Sequence, residues 1–228
     1  MAITGDGVTN PRYFSLKDLK SLSDLPSERG YLEQVFSIVN NWPTKKFQVA
    51  KGASLSVLLD MAGLRQEAAF FRVEAADGYY AQLTREQLLG KRYYYPGLLK
   101  ESTSGAVGVK PIVAWACETG TQDISKAKDC DLRLIIGQLG IFDVNTAPSV
   151  QNMTTIKVST KAAGRWSAPS VRGENETLVF FHETMDQVKL HYTLDGSEPT
   201  YNSPVYNPST SYFQPELLQP IPDGEGHS

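Results

Sequence analysis

The sequence predicts an α+β fold over residues 1–160, a linker over 161–169 and a partial all-β module over 170–228. Three observations lead there. Alternating and continuous apolar runs recur through the first 160 residues, with capped helical stretches between them. Lys161 to Pro169 changes character, with Gly164, Ser167 and Pro169 as breakers. Beyond that linker no helical periodicity occurs, and short strand patterns with turn signals take over.

Element by element, Ala2-Ile3-Thr4 opens as a strand. Ser15 to Lys20 reads as a helix that Ser15 caps while Asp18 reaches back, with Leu16 and Leu19 on one face. Glu33 to Val39 alternates as a half-buried strand does, and Lys46 to Ala50 suits another. Gly52 to Gly63 is the clearest helix: Ser54 as cap, Leu55, Leu58, Leu59 and Ala62 on one face, Gly63 as the stop. Ala68 to Ala75 and Tyr79 to Leu83 are strands joined through Asp77-Gly78, a strong hairpin signal. Thr84 and Gln87 form a capping box for a short helix. A Gly/Ser loop spans Ser102 to Gly108. Pro111 to Cys117 and Leu132 to Ile136 are continuously apolar, which predicts two central strands covered on both faces. Met153 to Thr160 alternates and closes the module. In the tail, Thr177 to Phe181 and Val188 to Leu194 read as strands, and Asp195-Gly196 as a turn.

The bulk numbers restrict the function. The chain has 228 residues, 41% hydrophobic and 21% charged, enough to bury an ordinary core. A formal charge of −3 and no run of more than two adjacent Lys/Arg argue against nucleic-acid or anionic-membrane partners. No apolar stretch approaches the ~20 residues of a membrane span, so no membrane insertion is expected of this chain. Cys117 and Cys130 fit no CxxC or Cys/His cluster, and no metal site is expected. They read either as two unpaired thiols or as a disulfide closing a loop of about 14 residues.

The pieces Phe14-Ser15-Leu16-Lys17-Asp18-Leu19, Gly52 to Gly63, Ala76-Asp77-Gly78-Tyr79, Leu132-Arg133-Leu134-Ile135-Ile136-Gly137 and Ile156-Lys157-Val158 stand in the order found in one family. With them, residues 1–160 resemble the molybdopterin-binding domain of sulfite oxidase-type oxidoreductases. The resemblance implies a mixed-sheet fold like that family's middle domain. It also implies a Cys-x-Gly-Asn-Arg motif whose thiolate binds molybdenum, a soft donor suited to that metal. Here the stretch reads Ile38-Val39-Asn40-Asn41-Trp42: Ile38 falls where the cysteine belongs, Asn40 replaces the glycine, Asn41 keeps the asparagine and Trp42 replaces the arginine. An isoleucine has no lone pair for a metal. Catalysis of the family's kind is therefore not expected, and neither is a cofactor, although the resemblance leaves open a pterin held without metal ligation. Asn40, Asn41 and Arg133 are the residues it would place at the pterin; an ion pair holding a loop is the other reading of Arg133.

In the tail, Tyr192-Thr193-Leu194-Asp195-Gly196-Ser197-Glu198-Pro199-Thr200 and Ser203-Pro204-Val205-Tyr206 resemble the chitobiase/β-hexosaminidase C-terminal domain, an Ig-like accessory module of exported bacterial proteins. Its turn and proline roles are structural. The resemblance implies an extracellular or cell-surface bacterial setting, with the chain a fragment of a longer exported protein from which the leader is absent. Such a setting suits a Cys117–Cys130 disulfide.

His182, His191 and His227 suggest no Ser/His/Asp or Cys/His set, and surface or half-buried histidine is the expectation. Among the aromatics, Trp42, Tyr79 and Tyr94 are candidate stacking platforms for a sugar or a flat heterocycle, against the plainer reading of packed rings. The chain is thus expected to be a non-catalytic, surface-displayed binding or adhesion module for a small molecule or glycan, next to further domains of the exported chain. The alternatives are a molybdopterin-dependent oxidoreductase fragment and a glycan-binding unit serving a hydrolase.

Overall fold

Capping and alternation decide where the elements of the first unit begin and end. The structure is a computed structural model that describes residues 1–24, 30–40, 44–146, 148–161, 169–174, 177–181, 190–200, 202–204 and 206. The chain divides into two units, Met1–Ala163 and Gly164–Ser228. The described part is mostly β-sheet with few, short helices.

A five-stranded mixed sheet contains β1 (Ala2–Thr4), β2 (Arg12–Tyr13), β5 (Phe70–Ala75), β6 (Tyr80–Thr84) and β11 (Met153–Ser159), in the order β2-β1-β11-β5-β6. β1 pairs with β11 in parallel and the other neighbours are antiparallel. A four-stranded antiparallel sheet contains β3 (Tyr31–Val39), β4 (Lys45–Ser54), β9 (Ile112–Thr119) and β10 (Lys128–Ile135), in the order β10-β9-β4-β3. β7 (Arg92–Tyr94) and β8 (Val107–Val109) form a separate two-stranded ladder. The expected loop from Ser102 therefore ends in a strand.

Helix α1 (Leu16–Ser21) has the capping box read from the sequence: Asp18 N donates to Ser15 Oγ at 3.1 Å, and Ser15 N donates to Asp18 Oδ2 at 2.8 Å. Helix α3 (Arg85–Leu89) repeats it with Thr84 and Gln87. Helix α2 (Leu55–Met61) starts later than its pattern suggests, because Gly52, Ala53 and Ser54 finish β4. Gly52 sits where β4 and β9 shift register, and a Cβ there would lie 2.2 Å from Val113 O. Close approach of two strands, not a helix start, is its role. Gly63, at φ +68°, ends the α2 segment as expected.

The main core lies between the two large sheets and takes in Leu19, Leu55, Leu58, Phe71, Val113, Trp115, Leu134 and Ile156. A second cluster of Phe36, Ala50, Ile112, Ala114 and Ile135 covers the other face of the four-stranded sheet. β9 is thus buried on both faces and is internal, as its apolar run predicts. β10 is a correction: it is the edge of its sheet. Leu134 and Ile135 face the two different clusters, so both faces are covered, and Val150 O accepts from Leu134 N at 2.9 Å. A continuous apolar run reports covered faces and says nothing about position in the ladder.

In the second unit β12 (Ser170–Glu174) and β13 (Thr177–Phe181) form an antiparallel hairpin. The strand expected over Val188 to Leu194 lies partly outside the described residues. Its described part carries Tyr192 N→Pro204 O (3.1 Å) and accepts Tyr206 N→Leu190 O (2.8 Å) rather than forming a regular strand. The Asp195-Gly196 turn is present: Gly196 has φ +77°, and Asp195 Oδ1 accepts from Ser197 N at 3.0 Å and Ser197 Oγ at 2.6 Å. Among the described residues no helix is long and apolar enough to cross a membrane.

Candidate functional site

The segment that the resemblance assigns to metal binding is the end of β3. Ile38 is half-buried and pairs with Lys46, and its neighbours Ser37 and Val39 are buried. Around them lies a cluster of buried, hydrogen-bonded polar groups. Asn145, fully buried, donates from Nδ2 to Ser37 O at 3.0 Å and Ile136 O at 2.9 Å, while its Oδ1 accepts from Val39 N at 3.0 Å. One side-chain amide so supplies the β3 edge with the donor and acceptor a further strand would bring. Ser37 Oγ donates to Gln138 Oε1 and accepts from Tyr95 N at 3.0 Å. Gln138 Nε2 donates to Ile141 O (2.9 Å) and Asp143 O (3.1 Å). Arg92 donates to Gly137 O at 2.8 Å and pairs with Asp143 at 3.2 Å. Val39, Phe47, Tyr95, Leu98 and Ile141 pack as a third apolar cluster beside these groups. Burial, and then Tyr93 and Asp143, push the Tyr95 phenol above its ordinary value.

Ligation of molybdenum through a thiolate does not fit these residues. Ile38 offers hydrocarbon, and the Ser37, Gln138 and Asn145 side chains are taken up by bonds to one another or to nearby backbone groups. Among the described residues no three His, Cys, Asp or Glu side chains gather as a metal-ligand set.

Among the described residues, those proposed from sequence are not brought together. Asn40 Oδ1 accepts from Thr44 N at 2.8 Å and Asn40 N donates to Thr44 O at 3.2 Å, bonds that close the β3–β4 connection. Arg133 is half-buried on β10, across from Ala114 and hence level with Gly52 and Leu32. Asn40, just past the end of β3, lies eight residues beyond Leu32, roughly 26 Å at strand rise, and at the opposite edge of the sheet. Asn41 and Trp42 lie outside the described residues, as does His182. Tyr79 stands exposed at the β5–β6 turn. Tyr94 is half-buried on β7, edge-on to Phe47 with centroids 6.0 Å apart, and its hydroxyl donates to Gln122 Oε1. His191 Nδ1 bonds Ser203 O at 2.8 Å, a structural contact.

A cavity of about 630 Å³ opens elsewhere in the first unit, where α2, the end of α3, β7 and the Gly108–Pro111 segment meet. Leu64, Leu89, Tyr93, Val109 and Pro111 supply apolar lining. Arg85, Lys91 and Lys110 line it with positive charge against the single carboxylate of Asp60, while the lining Arg92 is already paired with Asp143. Arg85 is held in place by donating from Nη1 to Arg65 O (3.1 Å) and Ala68 O (3.0 Å). The Lys110 backbone is clamped by the Gln34 amide, which accepts from Lys110 N at 3.0 Å and donates to Lys110 O at 2.8 Å. Sequence reasoning missed this site because two segments distant in the chain, Arg85 to Tyr93 and Gly108 to Pro111, contribute its cations. The Lys91-Arg92 pair was the one local signal.

Among solved structures the chain is similar to the sulfane dehydrogenase SoxCD from Paracoccus pantotrophus, with 16% identity and a TM-score of 0.41. The match covers 71% of this chain and 38% of that one. The chain thus spans well under half of that structure, and a likeness this slight carries no argument about activity. No curated protein matches. A family model described as Fn3 associated matches residues 182–220, overlapping the Tyr192 to Tyr206 motif of the tail.

Proposed function

We propose that the first unit is a non-catalytic ligand-binding module, displayed outside a bacterial cell with the Fn3-associated tail as its accessory, and that it takes an organic anion with a flat, partly apolar body. The observation that carries this is the cavity of about 630 Å³ with an apolar lining and three cations set against one carboxylate. Its size is that of a small-molecule site, and its charge runs opposite to the −3 of the whole chain. A pterin bearing an acidic group belongs to this ligand class and needs no metal to bind here. The hydrocarbon of Ile38 and the hydrogen-bonded Ser37, Gln138 and Asn145 side chains beside it support the absence of molybdenum chemistry at the position the resemblance assigns to it.

The test is a fluorescence-polarisation titration with pterin-6-carboxylate, run beside metal analysis of the purified chain. Saturable binding, weakened at least about tenfold in the Lys91→Ala/Lys110→Ala double variant, is expected; two weakened charge contacts of ~0.7 kcal/mol each give that factor. Binding unchanged in the double variant refutes the site. Stoichiometric molybdenum refutes the non-catalytic reading. A blank titration with glycan-array binding lost in Tyr79→Ala transfers the function to a glycan-binding unit.

A further inference from the structure

Two thiols outside that cavity are placed to react with each other. Cys117 on β9 pairs with Lys128 of β10, and Cys130 lies two residues beyond Lys128. The period of a strand puts Cys130 on the same face as Cys117. The β9–β10 register shifts between Asp129 and Arg133, so Cys130 sits within the irregular stretch. Its sulfur lies 2.8 Å from that of Cys117, closer than two sulfurs in ordinary contact. Both residues are half-buried, within reach of a small reagent, and both are free thiols.

We propose that Cys117 and Cys130 are a thiol–disulfide exchange site that reacts with low-molecular-weight disulfides, Cys117 attacking and Cys130 resolving. The Cys117 thiolate attacks one sulfur of the small disulfide. That S–S bond breaks, one small thiolate leaves with the electron pair, and a mixed disulfide remains on Cys117. Cys130 then gives up its proton and attacks the Cys117 sulfur, expelling the second small thiol. Two protein thiols are oxidised and one small disulfide is reduced to two thiols, so the balance closes.

The surroundings favour this order. The bond from Cys130, then the nearby Arg133 guanidinium and the Gln48 amide, lower the Cys117 thiol against burial and Glu118. The same bond to Cys117, together with burial and Asp131, pushes the Cys130 thiol up. The product bond ties β9 to β10 across the irregular stretch and closes the loop that carries the Asp123–Lys126 turn.

The test exposes the reduced chain to oxidised glutathione at neutral pH, quenches with iodoacetamide and reads intact mass. The parent chain should lose two hydrogens, resist alkylation, keep no glutathione and yield a peptide pair linked through Cys117 and Cys130. Cys130→Ser, which keeps a hydrogen-bond donor beside Cys117, should stop with one glutathione on Cys117. Cys117→Ser should react at least about tenfold more slowly, as an ordinary thiol does. A parent chain with two alkylatable thiols overturns the site. Equal rates for the two single variants, or for Cys130→Ala and Cys117→Ala should a serine variant misfold, overturn the assignment of attacker and resolver.

Discussion

Replacing Asn145 tests whether one buried amide holds the β3 edge closed. Its side chain makes three bonds to backbone groups, with Val39 N, Ser37 O and Ile136 O, at 2.9–3.0 Å and out of solvent. Asn145→Ala orphans all three. Each buried orphan costs about 1–3 kcal/mol, and water filling the vacated space recovers part, so a loss of about 3–5 kcal/mol is expected. For a unit of this size that lowers the melting temperature by about 6–20 °C. Urea titration followed by circular dichroism gives the free energy directly. Asn145→Asp separates hydrogen bonding from packing. The substitution keeps the volume, yet at neutral pH it turns a donor into an acceptor facing Ser37 O and Ile136 O. It should therefore destabilise at least as much as alanine and recover in part as acid protonates it. Two variants within about 0.5 kcal/mol of the parent, or an aspartate variant much milder than the alanine one, would refute the reasoning.

Gly52→Ala places a Cβ 2.2 Å from Val113 O and 2.7 Å from Ala114 Cα, two backbone atoms that cannot step aside cheaply. A loss of about 1–3 kcal/mol is expected, read as a lower urea midpoint with an unchanged slope. Tyr31 and Glu33 supply a pH signature. Burial first, and then the 2.5 Å bond to Glu33, push the Tyr31 phenol from 10 up to about 12, and the same bond holds the Glu33 carboxyl below its usual range. The tyrosine contribution is complete below about pH 10 and is lost as pH rises toward 12. The carboxylate contribution is present above the ordinary glutamate range and is lost as pH falls through the depressed value. Tyr31→Phe should flatten the alkaline limb of the stability profile, reduce the acid limb that Lys51 still supports, and remove a phenol titrating at about 12 from an ultraviolet titration; a profile identical to the parent's would contradict the pairing.

Local chemistry was legible in the sequence. The capping boxes at Ser15/Asp18 and Thr84/Gln87, the Gly63 stop, the Asp77-Gly78 hairpin and the double-sided burial of β9 all depend on residues within a few positions of one another, and all are present. The sequence by itself also determined that Ile38 brings no sulfur to its position, since side-chain chemistry does not wait for the fold. Tertiary structure decided what depends on distant partners. The register across four strands carries Arg133 away from Asn40, and an apolar run could not disclose that β10 is an edge. Ser37, Gln138 and Asn145 look ordinary in the chain, because a buried polar residue is recognised by the groups it meets up to about a hundred residues away. Lys91, Lys110 and Arg85 become a positive surface for the same reason: folding sums their charges in one cavity, whereas the chain keeps them in two distant segments.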